Sequence, residues 1–140
     1  MNRETRKRRK EKAVADSPGQ TLALARTAAG AVRSLNHATL GGDGLGQPAD
    51  AYELIGELSL AAAGLPQLLA QVGRWLASAL ESGRLGCDDG ADPAATVGGA
   101  RLSLSGARAA AAALAAALGQ AQQQIAAVHG GPAPEEGESS

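Results

Sequence analysis

The chain of 140 residues contains no phenylalanine, one tryptophan, one tyrosine and few β-branched residues. Sandwiches and barrels are built from aromatic and β-branched side chains, so this scarcity excludes an all-β fold. The single cysteine, Cys87, excludes both a disulfide framework and a zinc site made of cysteines. With only two histidines in the chain, we expect no histidine-rich metal site.

Small residues are abundant instead. Alanine supplies 33 residues and glycine 19, and the larger apolar residues number only 29, of which 18 are leucine. Alanine and leucine are the strongest helix formers, so the composition predicts an all-α domain. Because alanine buries little apolar area, we expect a thin core with either modest stability or help from self-association.

Positive charge is concentrated at the N-terminus. Residues 1–12 carry a net charge of +5, whereas residues 13–140 carry −6. We expect a disordered basic arm over residues 1–16, which either contacts phosphates or an acidic partner, or is a solvated terminus that helps solubility or folds back on the acidic remainder of the chain. Its basic residues are Arg3, Arg6, Lys7, Arg8, Arg9, Lys10 and Lys12.

Capping residues and prolines mark the starts of the helices. Ser17-Pro18-Gly19-Gln20 has the pattern of a capping box with proline in the first turn, and Asp92-Pro93 repeats the cap-plus-proline signature. Gly64 and Pro66 predict a sharp kink or a one-residue break, which leaves open whether one kinked helix or two are present. We therefore predict a three- or four-helix antiparallel bundle over residues 17–129, followed by a disordered acidic tail over 130–140. The predicted helices cover about residues 18–40, 48–63, 66–82 and 93–128.

The last predicted helix has the clearest apolar pattern. Its apolar residues recur in strict 3-4 alternation, which is typical of a seam that packs against a neighbouring helix. The alanines of this seam allow the neighbour to approach closely. Its members are Val97, Ala100, Leu104, Ala107, Ala111, Leu114, Leu118, Ala121, Ile125 and Val128.

Two further groups of residues are candidate contacts. Arg26, Arg33 and His37 share one face of the first helix, which is either an ordinary solvated face or a contact for phosphate or an acidic partner. Trp75 and Tyr52 lie at the margins of their apolar stripes, as half-buried core residues or as anchors for a partner. Leu60 falls on the outer face of its helix and is a third candidate anchor.

Neither polar loop has the features of a chemical site. Residues 41–46 are glycine-rich but follow a helix and lack a closing Lys-Ser/Thr pair, so we interpret them as a linker rather than a phosphate loop. Residues 87–92 hold three aspartates without the twelve-residue spacing of a calcium loop. We assign no catalytic residue, no metal site and no cofactor, and expect the chain not to be an enzyme.

The chain shows no targeting or membrane signal. The basic residues end at Lys12 and are followed almost at once by Asp16, Ser17 and Pro18 instead of an apolar stretch. The longest uncharged run, residues 109–128, contains four glutamines, which disfavour a membrane span. We therefore expect a soluble, cytoplasmic protein.

Several local strings resemble those of small uncharacterised helical proteins of high-GC actinobacteria, some of them associated with integrative or plasmid-like elements. The resemblance covers roughly residues 20–128, and the glycines at 98, 99 and 106 depart from the smoother last helix of that group. It implies no activity, cofactor or catalytic residue. The strings are Leu35-Asn36-His37-Ala38-Thr39, Gln47-Pro48-Ala49-Asp50-Ala51-Tyr52-Glu53-Leu54-Ile55-Gly56, Leu65-Pro66-Gln67-Leu68-Leu69 and Arg74-Trp75-Leu76.

Together these features predict a non-enzymatic helical module for protein interaction or scaffolding, as a homodimer or with an unknown protein partner. The alternative is an accessory nucleic-acid-binding protein whose basic arm contacts phosphates without reading sequence. The net charge of −6 over residues 13–140 opposes that alternative, because it repels DNA. A third interpretation, a small-ligand pocket inside the bundle, has no convergent polar groups to support it, so we expect no small-molecule substrate.

Overall fold

The computed structural model describes residues 2–6 and 17–131, and within them it contains no β-strand. The predicted all-α class is confirmed. Three long helices account for most of the described chain. They are α1 (Pro18–Ala38), α2 (Pro48–Glu81) and α3 (Pro93–Ile125).

The chain divides into two compact units, Met1–Gly46 and Gln47–Ser140. In the first unit, residues 3–6 form a turn of helix within the arm that we expected to be disordered, and the amides of Thr5 and Arg6 donate to the Asn2 carbonyl. The rest of the arm, and residues 132–140 of the acidic tail, lie outside the described residues.

The predicted caps are present at the starts of α1 and α3. The Ser17 hydroxyl accepts a hydrogen bond of 3.2 Å from the Gln20 amide. The Asp92 carboxylate accepts one of 3.1 Å from the Ala94 amide. Each side chain thus satisfies an amide that has no partner inside its helix, and the proline that follows presets the first turn.

Local hydrogen bonds also define both ends of α2. The Asp50 carboxylate accepts a bond of 3.0 Å from the Gln47 amide at the start of the helix. At the other end, Gly83 adopts a positive φ of 69°, and the Arg84 amide donates to the Ala79 carbonyl. This Schellman arrangement favours glycine, because other residues are strained at that φ.

Of the two alternatives left open at Gly64 and Pro66, the structure has one helix: the predicted helices over residues 48–63 and 66–82 are the single helix α2, with Pro66 in its interior. Proline has no amide to donate to the carbonyl four residues earlier, here that of Ala62. The helix nevertheless continues, since the segments on both sides of Pro66 pack against α3. The same holds in α3, where Gly98, Gly99 and Gly106 lie within an unbroken helix.

α2 and α3 run antiparallel and form a helical hairpin. The Ser59 hydroxyl donates to the Ala115 carbonyl at 3.0 Å, and the Gln122 amide group donates to the Tyr52 carbonyl at 3.3 Å. As residue numbers rise along α2, their partners along α3 fall, which is the signature of antiparallel packing. Gly56 leaves room for this Gln122 side chain, because a Cβ at that position would overlap it.

The contact between the two helices follows one line of residues on each. These residues are buried or half-buried, whereas most of their neighbours are exposed. The line repeats at 4-3 spacing along α2, and along α3 at a spacing of seven up to Ala111 and of four and three beyond it, so it is the packing seam of the hairpin. On α2 it comprises Ile55, Ser59, Ala62, Pro66, Leu69, Gly73 and Leu76, and on α3 Val97, Leu104, Ala111, Ala115, Leu118, Gln122 and Ile125.

The core of the hairpin is small. Among the described residues only four hydrophobic side chains are buried, namely Ala62, Ala79, Val97 and Ala111. No polar or charged side chain is buried among them. Three of the four buried side chains are a single methyl group, so the predicted thin core is present and each buried residue contributes little apolar area.

Replacing Pro66 by alanine is expected to stabilise the protein. The change restores an amide that can donate to the Ala62 carbonyl inside α2, and we expect the free energy of unfolding to rise by about 1–3 kcal/mol. Urea denaturation at one fixed protein concentration measures this difference. Pro48→Ala is the control, because Pro48 occupies the first turn, where no such bond is lost. A decrease in stability for Pro66→Ala would show that the proline ring is needed for packing.

Enlarging a side chain in the seam is expected to destabilise the hairpin. Ala111 is 7% exposed, so leucine at this position must push α2 and α3 apart, at a cost of about 1–3 kcal/mol. Ala112→Leu is the matched control, because Ala112 is the next residue along α3 and is exposed. Thermal unfolding followed by circular dichroism compares the two variants. Equal melting temperatures would contradict the described packing.

Candidate functional site

A continuous line of large apolar side chains lies on α2 beside the packing seam. These residues repeat at 4-3 spacing across Pro66, one position before each seam residue. Leu65 is 39% exposed, Leu68 50% and Trp75 57%, so the line is open to solvent. We call it the apolar face. It comprises Leu54, Leu58, Ala61, Leu65, Leu68, Val72 and Trp75.

α3 extends the apolar face on the same side of the hairpin. Successive residues of a helix are rotated by about 100°, and in two antiparallel helices the positions just before the seam turn toward the same side. On α3 Leu114 and Ala121 precede the seam residues Ala115 and Gln122, and Ala107 and Ala100 lie on the same side, seven and fourteen residues before Leu114; Leu114 is 51% exposed. The apolar face of α2 is therefore flanked by an alanine-rich surface of α3.

This arrangement corrects the predicted seam of α3. Of the predicted set, six members are buried or half-buried, namely Val97, Leu104, Ala111, Leu118, Ala121 and Ile125, whereas Ala100, Ala107, Leu114 and Val128 are exposed. The exposed members within α3, such as Leu114, lie at the side of the hairpin. Val128, which is 54% exposed, lies beyond the end of α3. The contact line is completed instead by Ala115 and Gln122, which the apolar pattern did not single out.

The candidate anchors lie in three different environments. Trp75 is at the C-terminal end of the apolar face, and the Arg84 guanidinium lies 5.9 Å from the centre of its ring, within cation–π range. Tyr52 is 39% exposed and lies where its carbonyl meets Gln122. Leu60 is 69% exposed and lies outside both the seam and the apolar face.

The opposite side of the hairpin carries a groove of about 470 Å³. Its walls carry three arginines and one serine, and no acidic residue lines it. We call it the arginine groove. Sequence reasoning missed it, because its arginines come from two helices and only the register of the hairpin brings them together. Its polar residues are Arg74, Arg101, Ser105 and Arg108.

The predicted basic contacts that the structure describes belong to the first unit, Met1–Gly46. Arg26, Arg33 and His37 are exposed on α1. Arg3 and Arg6 are exposed in the N-terminal turn, whereas the other predicted arm residues lie outside the described residues, namely Lys7, Arg8, Arg9, Lys10 and Lys12.

α1 itself is amphipathic but buries none of its residues. Its apolar stripe contains Leu24, which is 61% exposed, and Val32, which is 54% exposed. The stripe is thus available for contact, as are the basic residues on the other side of the helix.

Both polar loops use their distinctive residues locally. A Cβ at Gly44 would overlap the Ala38 carbonyl, so this glycine allows the loop to fold closely against the end of α1. In the acidic loop, the Asp89 carboxylate accepts a bond of 3.0 Å from the Ala91 amide, while Asp92 caps α3. Over residues 2–6 and 17–131, no three histidine, cysteine or acidic side chains form a group that could hold a metal ion.

Within the described part of the chain, α3 is the one helix long and apolar enough to cross a membrane, by length and composition alone. Its most apolar window has a mean hydropathy of 1.4, and 6% of that window is buried. Core helices of soluble proteins meet the same criterion, so this finding is weak support for a membrane span.

Comparison with known proteins assigns neither a family nor a function, because the chain matches no protein family, no curated protein and no solved structure.

Proposed function

We propose that the protein is a non-enzymatic helical interaction module that assembles with a second copy of itself through the apolar face. The support is the unpartnered line of large apolar residues from Leu54 to Trp75 on a hairpin whose own core is made of small side chains. Two such hairpins, joined face to face, would form a four-helix bundle with a core of leucines.

The spacing of the apolar face suits pairing with a second copy of the same helix. The line is nearly palindromic about Leu65, with residues 11, 7 and 4 positions before it and 3, 7 and 10 positions after it. Two antiparallel copies of α2 related by a two-fold axis at Leu65 would therefore place Leu58 opposite Val72, and Leu54 opposite Trp75. A two-fold interface requires this kind of self-complementary surface.

The absence of charged residues from the apolar face is consistent with its burial in a dimer. All seven members of the apolar face are uncharged, so burying them requires no ion pair. Burial would remove large apolar side chains from water and would stabilise the dimer by about 25 cal/mol per Å² of buried apolar surface. The small core of one hairpin lacks this contribution.

In this proposal α3 is a bundle helix in water and not a membrane span. Its contact line runs from Val97 to Ile125 along α2 and includes the hydrogen bond from Gln122 to the Tyr52 carbonyl. Polar contacts of this kind suit a packed helical pair in a soluble bundle. We assign no catalytic residue and no cofactor to the module.

Placing a charge at the centre of the apolar face is expected to dissociate the dimer. Leu65→Glu puts two carboxylates at the two-fold axis and removes two buried leucines, so we expect the dissociation constant to rise more than about 100-fold. Sedimentation velocity over a range of protein concentrations measures this change.

Leu60→Glu is the matched control, because it introduces the same charge on α2 outside the apolar face. It should leave the dissociation constant unchanged, and circular dichroism checks that both variants remain helical at high concentration. A wild-type chain that stays monomeric at all accessible concentrations, or a dimer equally weakened by both variants, would contradict the proposal.

A second candidate function, nonspecific binding of nucleic acid, is supported by the exposure of the described basic residues. Arg3 and Arg6 are exposed on the N-terminal turn, and Arg26 and Arg33 are exposed seven residues apart on α1. No described acidic residue forms an ion pair with them, so their guanidinium groups are available to phosphates.

If the arm binds duplex DNA, the affinity should fall steeply with salt. Neutralising about five to seven phosphates predicts a slope of about −4.5 to −6.3 in log affinity against log salt concentration. Fluorescence anisotropy with labelled duplex DNA measures this slope for the full chain and for a chain lacking residues 1–12. The shortened chain should lose most of the affinity, and an absence of binding to the full chain at low salt would exclude this function.

A further inference from the structure

We propose that the arginine groove is a binding site for a small ligand that carries two or more linked phosphate groups. The site is formed by Arg74 of α2 and by Arg101, Ser105 and Arg108 of α3. It lies on the side of the hairpin away from the apolar face, so the inference does not depend on the proposed dimer.

Helix geometry brings the polar residues of α3 into one row. Arg101, Ser105 and Arg108 are four and three positions apart, so they project from the same face of α3. The two arginines are separated by about two turns, or about 10 Å along the helix axis. Their long side chains can therefore reach one ligand from both ends, with the serine hydroxyl between them.

Arg74 completes the site from the opposite wall. It follows Gly73 of the packing seam, as Ser105 follows Leu104 on α3, which places both residues on the same side of the hairpin. Gly73 and Gly98 also line the groove, and a Cβ at either glycine would meet no atom within 4 Å. The glycines thus leave open space between the walls that larger side chains would narrow.

The electrostatics of the groove select an anion. Three guanidinium groups line it and no carboxylate does. Within the described residues none of these arginines forms a salt bridge, although the body of the protein is acidic overall. Of the four arginines described in α2, α3 and the loop between them, Arg84 alone lies outside the groove, beside Trp75.

The number and type of basic groups favour linked phosphates over a single anion. Guanidinium groups bind phosphate oxygens through paired hydrogen bonds, which a point charge such as lysine does not reproduce. Three arginines spread over two walls match the charge of a di- or triphosphate better than one carboxylate. A volume of about 470 Å³ lies in the usual range for small-ligand sites and is large enough for such a group.

Isothermal titration of the full-length protein with tripolyphosphate, pyrophosphate and inorganic phosphate tests the site. We expect saturable binding of one tripolyphosphate per chain, with affinity that decreases in that order and falls as salt is added. Arg101→Gln and Arg108→Gln should each weaken tripolyphosphate binding about 10- to 100-fold, because each removes a charge-assisted pair of hydrogen bonds.

Two controls distinguish binding in the arginine groove from nonspecific electrostatic attraction of the anion to the protein. Arg26→Gln removes the same charge from α1 and should leave the affinity unchanged, whereas Arg101→Lys keeps the charge but loses the paired hydrogen bonds and should give an intermediate affinity. Circular dichroism confirms that the variants, all at exposed positions, keep their helices. Absence of saturable binding, or an equal loss with Arg26→Gln, would overturn the inference.

Titration with duplex DNA under the same conditions tests whether the arginine groove binds nucleic acid instead of a small ligand. If DNA binding depends on Arg101 and Arg108 while tripolyphosphate does not bind, the groove is a nucleic-acid surface and the small-ligand assignment is wrong. The oligomeric state of each variant, measured by sedimentation, should stay the same as in the wild-type protein. The tripolyphosphate titration and the sedimentation measurement thus test the two proposals separately, and failure of one proposal does not imply failure of the other.

Discussion

The close approach of α2 and α3 through small side chains determines the arrangement of the other residues. Alanine at 62 and 111 and serine at 59 occupy positions of the seam where many helical hairpins have leucine. With small residues in contact, helix axes can come to the short end of the usual spacing. Several of the larger apolar residues, such as Leu65, Leu68 and Trp75, lie beside the seam and not in it, which is why they remain exposed on one side.

Local signals in the sequence were sufficient to predict the helix starts. Ser17 and Asp92 act within three residues of their partners, so their effect does not depend on the rest of the fold. The end of α2 at Gly83 was predicted for the same reason, since a glycine after a helix readily takes the left-handed conformation. The all-α class followed from composition, because alanine and leucine leave few alternatives.

The interior of α2 and the two surfaces could not be predicted in the same way. Whether a helix continues through Pro66 depends on packing to another helix, and this contact is absent from any local string. Dividing the helix there hid the line from Leu54 to Trp75, although its spacing is regular across the proline. In α3 the alanines fit several registers, so only the contact with α2 decides which residues form the seam and which, like Arg101 and Arg108, line a groove.

The opposed positions of the apolar face and the arginine groove have a consequence for valency. If two hairpins join through their apolar faces, the groove of each copy points outward, away from the shared core. The dimer would then present two identical anion sites on opposite surfaces, too far apart for one small ligand to bridge. A polymer with regularly spaced phosphates could engage the sites of successive dimers, and the gain in avidity would come from geometry without any new contact.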